Sequence, residues 1–273
     1  MHSNELGQAG TIQASMNPNT LRAIRHIRHI GAASVIAAVV AAVVAAVVTI
    51  GTAGPALSAP TGTTTLVYDF SRSGMSIAEM TDTLEVRGRD YHLSSVAQGV
   101  GIVALLARGQ TIKRDSRGTI GAKGLQPKTF TEERGSNYKL TAEFNWPSRQ
   151  VALTDAKGER SEEPLTEGTQ DRMSMPYQVA FVHGAPPAEW SIQVTDGKRL
   201  TAYPFRLVGT ENVTTGLGEI KALHYTKVVS GNDSAFDLWL GVDQQLLPVR
   251  VSYADKDGAR YEQSLRSLRT AGH

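Results

Sequence analysis

Ala78-Glu79-Met80-Thr81-Asp82-Thr83-Leu84-Glu85-Val86 decides the fold. Met80, Leu84 and Val86 share one side of a two-residue period, and Glu79 and Glu85 lie on the other, as in a strand with one buried face. Upstream, Thr65-Leu66-Val67-Tyr68-Asp69-Phe70 alternates in the same way, with Leu66, Tyr68 and Phe70 together. Downstream, Arg87-Gly88-Arg89-Asp90 is a turn and Tyr91 to Ala97 runs back, which makes a hairpin with one wetted face.

The pattern continues outward. Strands are read at Thr111–Asp115, Ile120–Ala122, Thr129–Glu133, Tyr138–Trp146 and Gln150–Thr154, with turns at Asn145-Trp146-Pro147-Ser148 and Asp155-Ala156-Lys157-Gly158. The last third adds Trp190–Thr195, Leu200–Val208, Gly218–Val229, Ala235–Val242, Pro248–Tyr253 and Arg260–Ser267. That is on the order of eleven to thirteen strands at the spacing of an antiparallel sheet or barrel. Two stretches interrupt it. Val100 to Leu106 is continuously apolar and reads equally as a short helix or a buried strand. Thr169 to Phe181 reads as a helix of about three turns, with Thr169 as cap, Asp171 in the first turn and Pro176 as a kink. The expected fold is mainly β: an antiparallel, strongly curved sheet or open β-barrel with one or two short helices, preceded by an N-terminal apolar signal or anchor helix.

That N-terminal segment spans residues 1–59, and a single β-rich exported domain spans 60–273. Residues 30 to 50, IGAASVIAAVVAAVVAAVVTI, carry no charge; Arg22, Arg25 and Arg28 precede them, and Ala56-Leu57-Ser58-Ala59 follows. A basic region, an apolar run and a small-residue site define a secretory signal, with cleavage expected after Ser58 or Ala59. The run also reaches transmembrane length, so an uncleaved anchor facing the periplasm is the alternative. Met16 is a second candidate start. Of 28 basic and 26 acidic residues, residues 1–59 hold three arginines and Glu5, so the exported part balances at 25 against 25. Neutrality excludes a nucleic-acid binder with a concentrated basic surplus. Without cysteine there are no disulfides, thiol nucleophiles, thiolate zinc sites, iron–sulfur clusters or N-terminal lipid anchors.

Thr169-Gln170-Asp171-Arg172-Met173-Ser174, GTENVTTGLG at 209–218, Asp237-Leu238-Trp239-Leu240, Leu247-Pro248-Val249-Arg250-Val251, Asp257 to Gln263 and Gly124-Leu125-Gln126-Pro127 form an ordered set. Together they resemble the exported proteobacterial proteins classed as domain of unknown function 3108, over roughly Leu66 to Leu268. The resemblance implies an envelope-located, β-rich domain and carries no catalytic residues. In architecture alone there is a more distant similarity to the open-barrel lipoprotein carriers of the periplasm.

Chemistry is sparse. His92, His183 and His224 form no i, i+4 pair and no HExxH, so no metal site and no cofactor are expected. There is no Gly-x-Ser-x-Gly or Ser-x-x-Lys, and Ser174 reads as a turn residue rather than a nucleophile. Glu132-Glu133 and Glu162-Glu163 are adjacent acids, which point to opposite faces of a strand. Glu159 to Glu167 reads as a solvated acidic loop, and Arg108 to Arg117 as a solvated strand face or a contact for anionic lipid heads. Asp171 and Arg172 read as polar ties from the helix to the sheet, with Trp239 a third structural polar residue. Val100, Ile102, Leu105, Leu106, Met173, Met175 and Tyr177 are the candidate ligand-binding set, able to plug or gate a barrel interior or simply to fill a core. The function expected is a non-enzymatic envelope protein that binds an apolar or amphipathic ligand, such as a lipid, or an envelope partner protein. A structural assembly factor with a packed core and a polymer hydrolase using paired carboxylates are the alternatives. Membrane contact is expected only through an uncleaved N-terminal segment.

Overall fold

The computed structural model describes residues 59–106, 110–231, 234–255 and 258–271. The expected signal or anchor helix lies outside the described residues. The described chain is mainly β. Its strands are β1 (Gly62–Arg72), β2 (Met75–Arg87), β3 (Asp90–Gly99), β4 (Thr111–Gly121), β5 (Gly124–Arg134), β6 (Tyr138–Asn145), β7 (Gln150–Thr154), β8 (Arg160–Pro164), β9 (Gln170–Asp171), β10 (Glu189–Thr195), β11 (Leu200–Thr215), β12 (Gly218–Lys227), β13 (Phe236–Gly241), β14 (Pro248–Ala254) and β15 (Arg260–Ala271). Two short helices complete it: α1 (Gly101–Leu106), between β3 and β4, and a 3₁₀ helix at Met175–Phe181, between β9 and β10.

All fifteen strands form one sheet in the order β8-β7-β6-β5-β4-β3-β2-β1-β15-β14-β13-β12-β11-β10-β9. It is two meanders joined where the first and last strands pair, β1 against β15. Every pairing is antiparallel except β9 on β10. The sheet is open, since the edges β8 and β9 do not pair with each other. Yet these edges are consecutive in the chain. Six residue steps from Pro164 to Gln170 span at most about 20 Å, whereas fifteen strands laid flat would spread over about 65 Å. The sheet therefore curls until its edges approach. Contacts across the curl agree: a Cβ on Gly197, in the β10–β11 turn with φ +89°, would sit 2.8 Å from Leu140 Cβ of β6. Register shifts at Val67/Tyr68, Arg117/Gly118 and Leu207/Gly209 are bulges that add local bend and twist.

The segment that follows β9 is tied to the first meander by side chains. Gln178 of the 3₁₀ helix imitates a strand partner on the β4–β5 turn, where its Nε2 donates to the Lys123 carbonyl (2.8 Å) and its Oε1 accepts the Leu125 N–H (2.7 Å). A Cβ on Gly124 (φ +101°) would fall 2.7 Å from that amide, so the close approach requires glycine. A single apolar core runs through both meanders and includes Leu66, Tyr68, Phe130, Tyr177, Phe205 and Leu238.

The structure corrects three expectations. The three-turn helix from Thr169 is instead β9, a tight turn and the 3₁₀ helix. Asp171 explains this: its Oδ1 accepts the N–H groups of Met173 and Ser174 (both 2.8 Å), and Pro176 has no N–H to offer, so the first α-turn never assembles. The acidic stretch after Glu159 is not all loop, because Arg160–Pro164 pairs with β7 as an exposed edge strand. Finally, the segments read as strands at Thr111–Asp115 and Ile120–Ala122 are one strand, β4, and β11 runs past Val208 to Thr215 through residues that are polar except for the buried Val213. The ambiguous run after Val100 is a helix, α1, with no buried residue.

Candidate functional site

Register places one polar rung across the inner face of the first meander. Leu66 of β1 pairs with Asp82 of β2, Asp82 with Ser95 of β3, Ser95 with Arg114 of β4, Arg114 with Glu132 of β5, and Glu132 with Leu140 of β6. Phe130 and Glu132 sit two residues apart on one strand, so the period that buries Phe130 also turns Glu132 inward. A buried carboxylate without partners would cost several kcal/mol. Glu132 instead gathers three guanidinium groups. Arg114 Nε reaches Oε2 at 2.6 Å, Arg134 Nη2 reaches Oε1 at 2.6 Å, and Arg172 Nη1 reaches Oε2 at 3.3 Å. Burial pushes the Glu132 carboxyl up, but the charges of Arg114, Arg172 and Arg134 outweigh it and hold the group below its ordinary range.

Above this rung opens a cavity of about 1140 Å³. Ile77, Gly99, Val103, Gln110, Gly135 and Ser234 belong to its lining. Arg114, Arg134 and Arg172 line it on the side of the first meander. The second meander supplies an aromatic wall. Tyr203 meets Phe236 edge-on (5.8 Å), Phe236 stacks on Tyr253 (6.5 Å), and Tyr253 stacks on Tyr261 (5.1 Å). Lys227 lines the same wall, with its Nζ 4.8 Å from the centre of the Tyr203 ring.

The crossing segment between the edges carries a separate buried network. Asp171 Oδ2 accepts from Ser116 Oγ of β4 at 2.6 Å, and Ser116 meets the Tyr91 hydroxyl at 3.1 Å. Burial raises the Asp171 carboxyl to about 6, although Ser116, Ser174 and the Met173 N–H hydrogen-bond to it and pull it down. Tyr177 of the 3₁₀ helix donates its hydroxyl to Asp82 Oδ2 (2.8 Å). Burial pushes the Asp82 carboxyl up, opposed by Ser95, Tyr177 and the nearby Arg114 charge.

Of the seven candidate ligand-binding residues, Met175 lines the cavity. Met173 and Tyr177 are buried in the core. Val100 donates its N–H to the Ile77 carbonyl at the start of α1. Ile102, Leu105 and Leu106 turn outward and are largely exposed, while Val103 of the same helix faces the cavity. Asp171 and Arg172, neighbours in sequence, diverge: the first ties β9 to β4, and the second reaches Glu132 from the cavity side. Trp239 lies on the outer face of β13. It stacks on His224 (4.3 Å), lies beneath Arg250 (5.2 Å from its centroid) and donates its indole N–H to Glu211. His224 bridges Glu211 and Asp237. Among the described residues no three histidines or carboxylates are grouped as metal ligands.

The sequence pattern did not single out Arg134 or Lys227, and it offered Arg114 only within the basic stretch from Arg108 to Arg117 and Glu132 only as one of two adjacent acids. For Glu132 and Arg134 a signal existed, since both share the two-residue period of Phe130. For Arg114 the signal was weaker, since only Ile112 marks its face between Thr111 and Asp115.

Two solved structures share low-level similarity. One is a "putative lipoprotein" from Parabacteroides distasonis, 12% identical, matched over 78% of this chain and 98% of its own, with a TM-score of 0.38. The other is a "putative exported protein with YmcC-like fold" from Bacteroides fragilis, 9% identical, matched over 79% and 99%, with a TM-score of 0.35. No curated protein matches the chain. The family of proteins of unknown function DUF3108 matches residues 64–265, the whole span from β1 into β15, and the chain belongs to that family.

Proposed function

We propose that this is an exported envelope protein whose residues 60–273 form an open β-barrel that binds an amphipathic molecule without catalysing a reaction on it. The observation that carries the reading is the cavity of about 1140 Å³, walled on one side by aromatic rings and on the other by guanidinium groups. Ligand pockets are typically about 300–1,000 Å³; this one is slightly larger and joins an apolar lining to several cationic side chains, a make-up that fits an amphipathic molecule. Export rests on the basic–apolar–small order of residues 22–59. A polymer hydrolase working through paired carboxylates needs two acids at the reacting bond. The cavity lining supplies Asp196, whose Oδ1 already accepts the N–H groups of Lys198 and Arg199.

Expression with export, followed by native mass spectrometry and lipid extraction, tests the reading. A bound amphiphile, lost when Ala97 on the cavity wall is replaced by Phe, is the expected result. Repeated recovery of empty protein that takes up no alkyl chain defeats it.

A further inference from the structure

The cavity has more positive charge on its wall than its own acids balance, and this excess specifies the ligand. Arg114, Arg134 and Arg172 share the single carboxylate of Glu132. Each guanidinium offers five N–H donors, while a carboxylate accepts at about four sites. Glu132 is fully buried behind the arginines and does not line the cavity. Asp82 is the next acid that Arg114 feels, but it is buried, accepts the Tyr177 hydroxyl, and is biased by burial toward its neutral form. Arg172 and Arg134, both in the cavity lining, remain 38% and 45% exposed against 19% for Arg114, and the Arg134 guanidinium also lies over the Tyr138 ring at 4.9 Å. Tyr253 of β14 lines the same cavity and brings a phenol to it. Next to these polar groups lie Met80, Ile112, Val194 and Val251, a lining suited to an alkyl chain.

We infer that the ligand is an anionic amphiphile, its phosphate or carboxylate held by Arg172 and Arg134 above Glu132 and its chain laid along the apolar wall. This rests on the cavity being a binding site. Guanidinium–oxyanion pairs are bidentate and strong, and a site partly shielded from water strengthens them.

The test uses the full chain, freed of endogenous lipid, titrated with dodecyl phosphate, dodecanoate, dodecanol and inorganic phosphate. The two anionic amphiphiles are expected to bind at least about tenfold more tightly than dodecanol, the difference one charge-assisted pair supplies, with inorganic phosphate alone failing to compete. Arg172→Gln should weaken dodecyl phosphate about tenfold and leave dodecanol unchanged, while Arg172→Lys should retain part of the preference. Should Arg172→Gln fail to fold, the ranking on the unaltered protein and Arg134→Gln decide the matter. Equal affinity for dodecanol and dodecyl phosphate overturns the head-group inference and leaves the cavity reading standing. Binding of none of the alkyl compounds overturns the cavity reading itself. Competition by inorganic phosphate at the concentrations where dodecyl phosphate binds means a free-anion site and overturns the amphiphile.

Discussion

The two meanders are built alike and line the same cavity, but their inner faces differ. In the first, alternation delivers Asp82, Ser95, Arg114 and Glu132 to one inward rung. In the second, the positions facing them carry Tyr203, Phe236, Val251 and Tyr253. A strand period fixes which residues point inward but not whether they are apolar. The first meander tolerates its buried charges because every acid in the rung has a cation or hydroxyl partner. The second is held by ring contacts at 5–7 Å, each worth about 0.5–1.5 kcal/mol beyond the area buried. One half thus depends on pairing and the other on packing, and substitutions can separate the two.

The largest effect should come from the pairing side. Glu132→Gln leaves three arginines around a neutral amide, and breaking a buried ion network by removing one partner costs about 3–5 kcal/mol. Denaturant unfolding should show a loss of that order, and added dodecyl phosphate should recover part of it. A loss below about 1 kcal/mol would mean that solvent already screens the arginines, and the contrast between the halves would weaken.

Next comes the segment that joins the halves. Asp171 has its carboxyl raised from 3.8 to about 6 in the folded protein. The folded state then holds a proton that the unfolded state has released, so this group's contribution to stability falls as pH rises through the window from about 4 to 6 and is level above it. Two pKa units correspond to about 3 kcal/mol. Glu132 acts with the opposite sign, its lowered carboxyl favouring the fold above the ordinary carboxylate range and losing that contribution on acidification. Comparison of the unaltered protein with Asp171→Asn between pH 4 and 7 isolates the Asp171 contribution, because asparagine keeps an acceptor for the Met173 and Ser174 N–H groups. The variant's stability should lack the decline. Parallel curves would show that Asp171 titrates normally. On the packing side, Phe236→Ala removes a half-buried ring that contacts Tyr203, Phe205 and Tyr253. It should cost about 2 kcal/mol, less than a fully buried phenylalanine, and should weaken dodecanol binding as much as dodecyl phosphate binding.

Much of the fold was legible where a strand has one wet and one dry face. Gln150–Thr154 matches the observed β7, and Pro248–Tyr253 falls one residue short of β14. Legibility failed where that contrast vanished. Arg160–Pro164 is an edge strand with little burial, so its sequence looks like a loop. The helix expected after Thr169 had a cap residue, an acidic first turn and an apolar run, all local signals. What overrode them was the Asp171 carboxylate capturing the N–H groups of Met173 and Ser174, together with Ser116 fixing its other oxygen from a strand 55 residues away. The cavity was hardest to see. Hollow and filled interiors use the same inward residues, and the outcome depends on how far the sheet curls, which is set by contacts such as Gly197 on Leu140 and not by any one segment.

The smallest effect sharpens the comparison within a single helix. α1 contributes Val103 to the cavity lining, and its two sides differ as the meanders do. Val103 packs toward Gly99, where a Cβ would meet Val103 Cγ1 at 3.1 Å, and faces the cavity. Ile102, Leu105 and Leu106 are exposed by 70%, 79% and 77%. Replacing these three together by glutamine, a comparable helix former, removes apolar surface that the fold does not bury, so each change should alter unfolding free energy by less than about 0.5 kcal/mol. Val103→Gln places an amide against the cavity and should lower affinity for dodecanol while leaving the melting temperature nearly unaltered. If the outward triple variant instead melts early, α1 is held by contacts on its exposed side, and the packing of Val103 on Gly99 is not its main anchor.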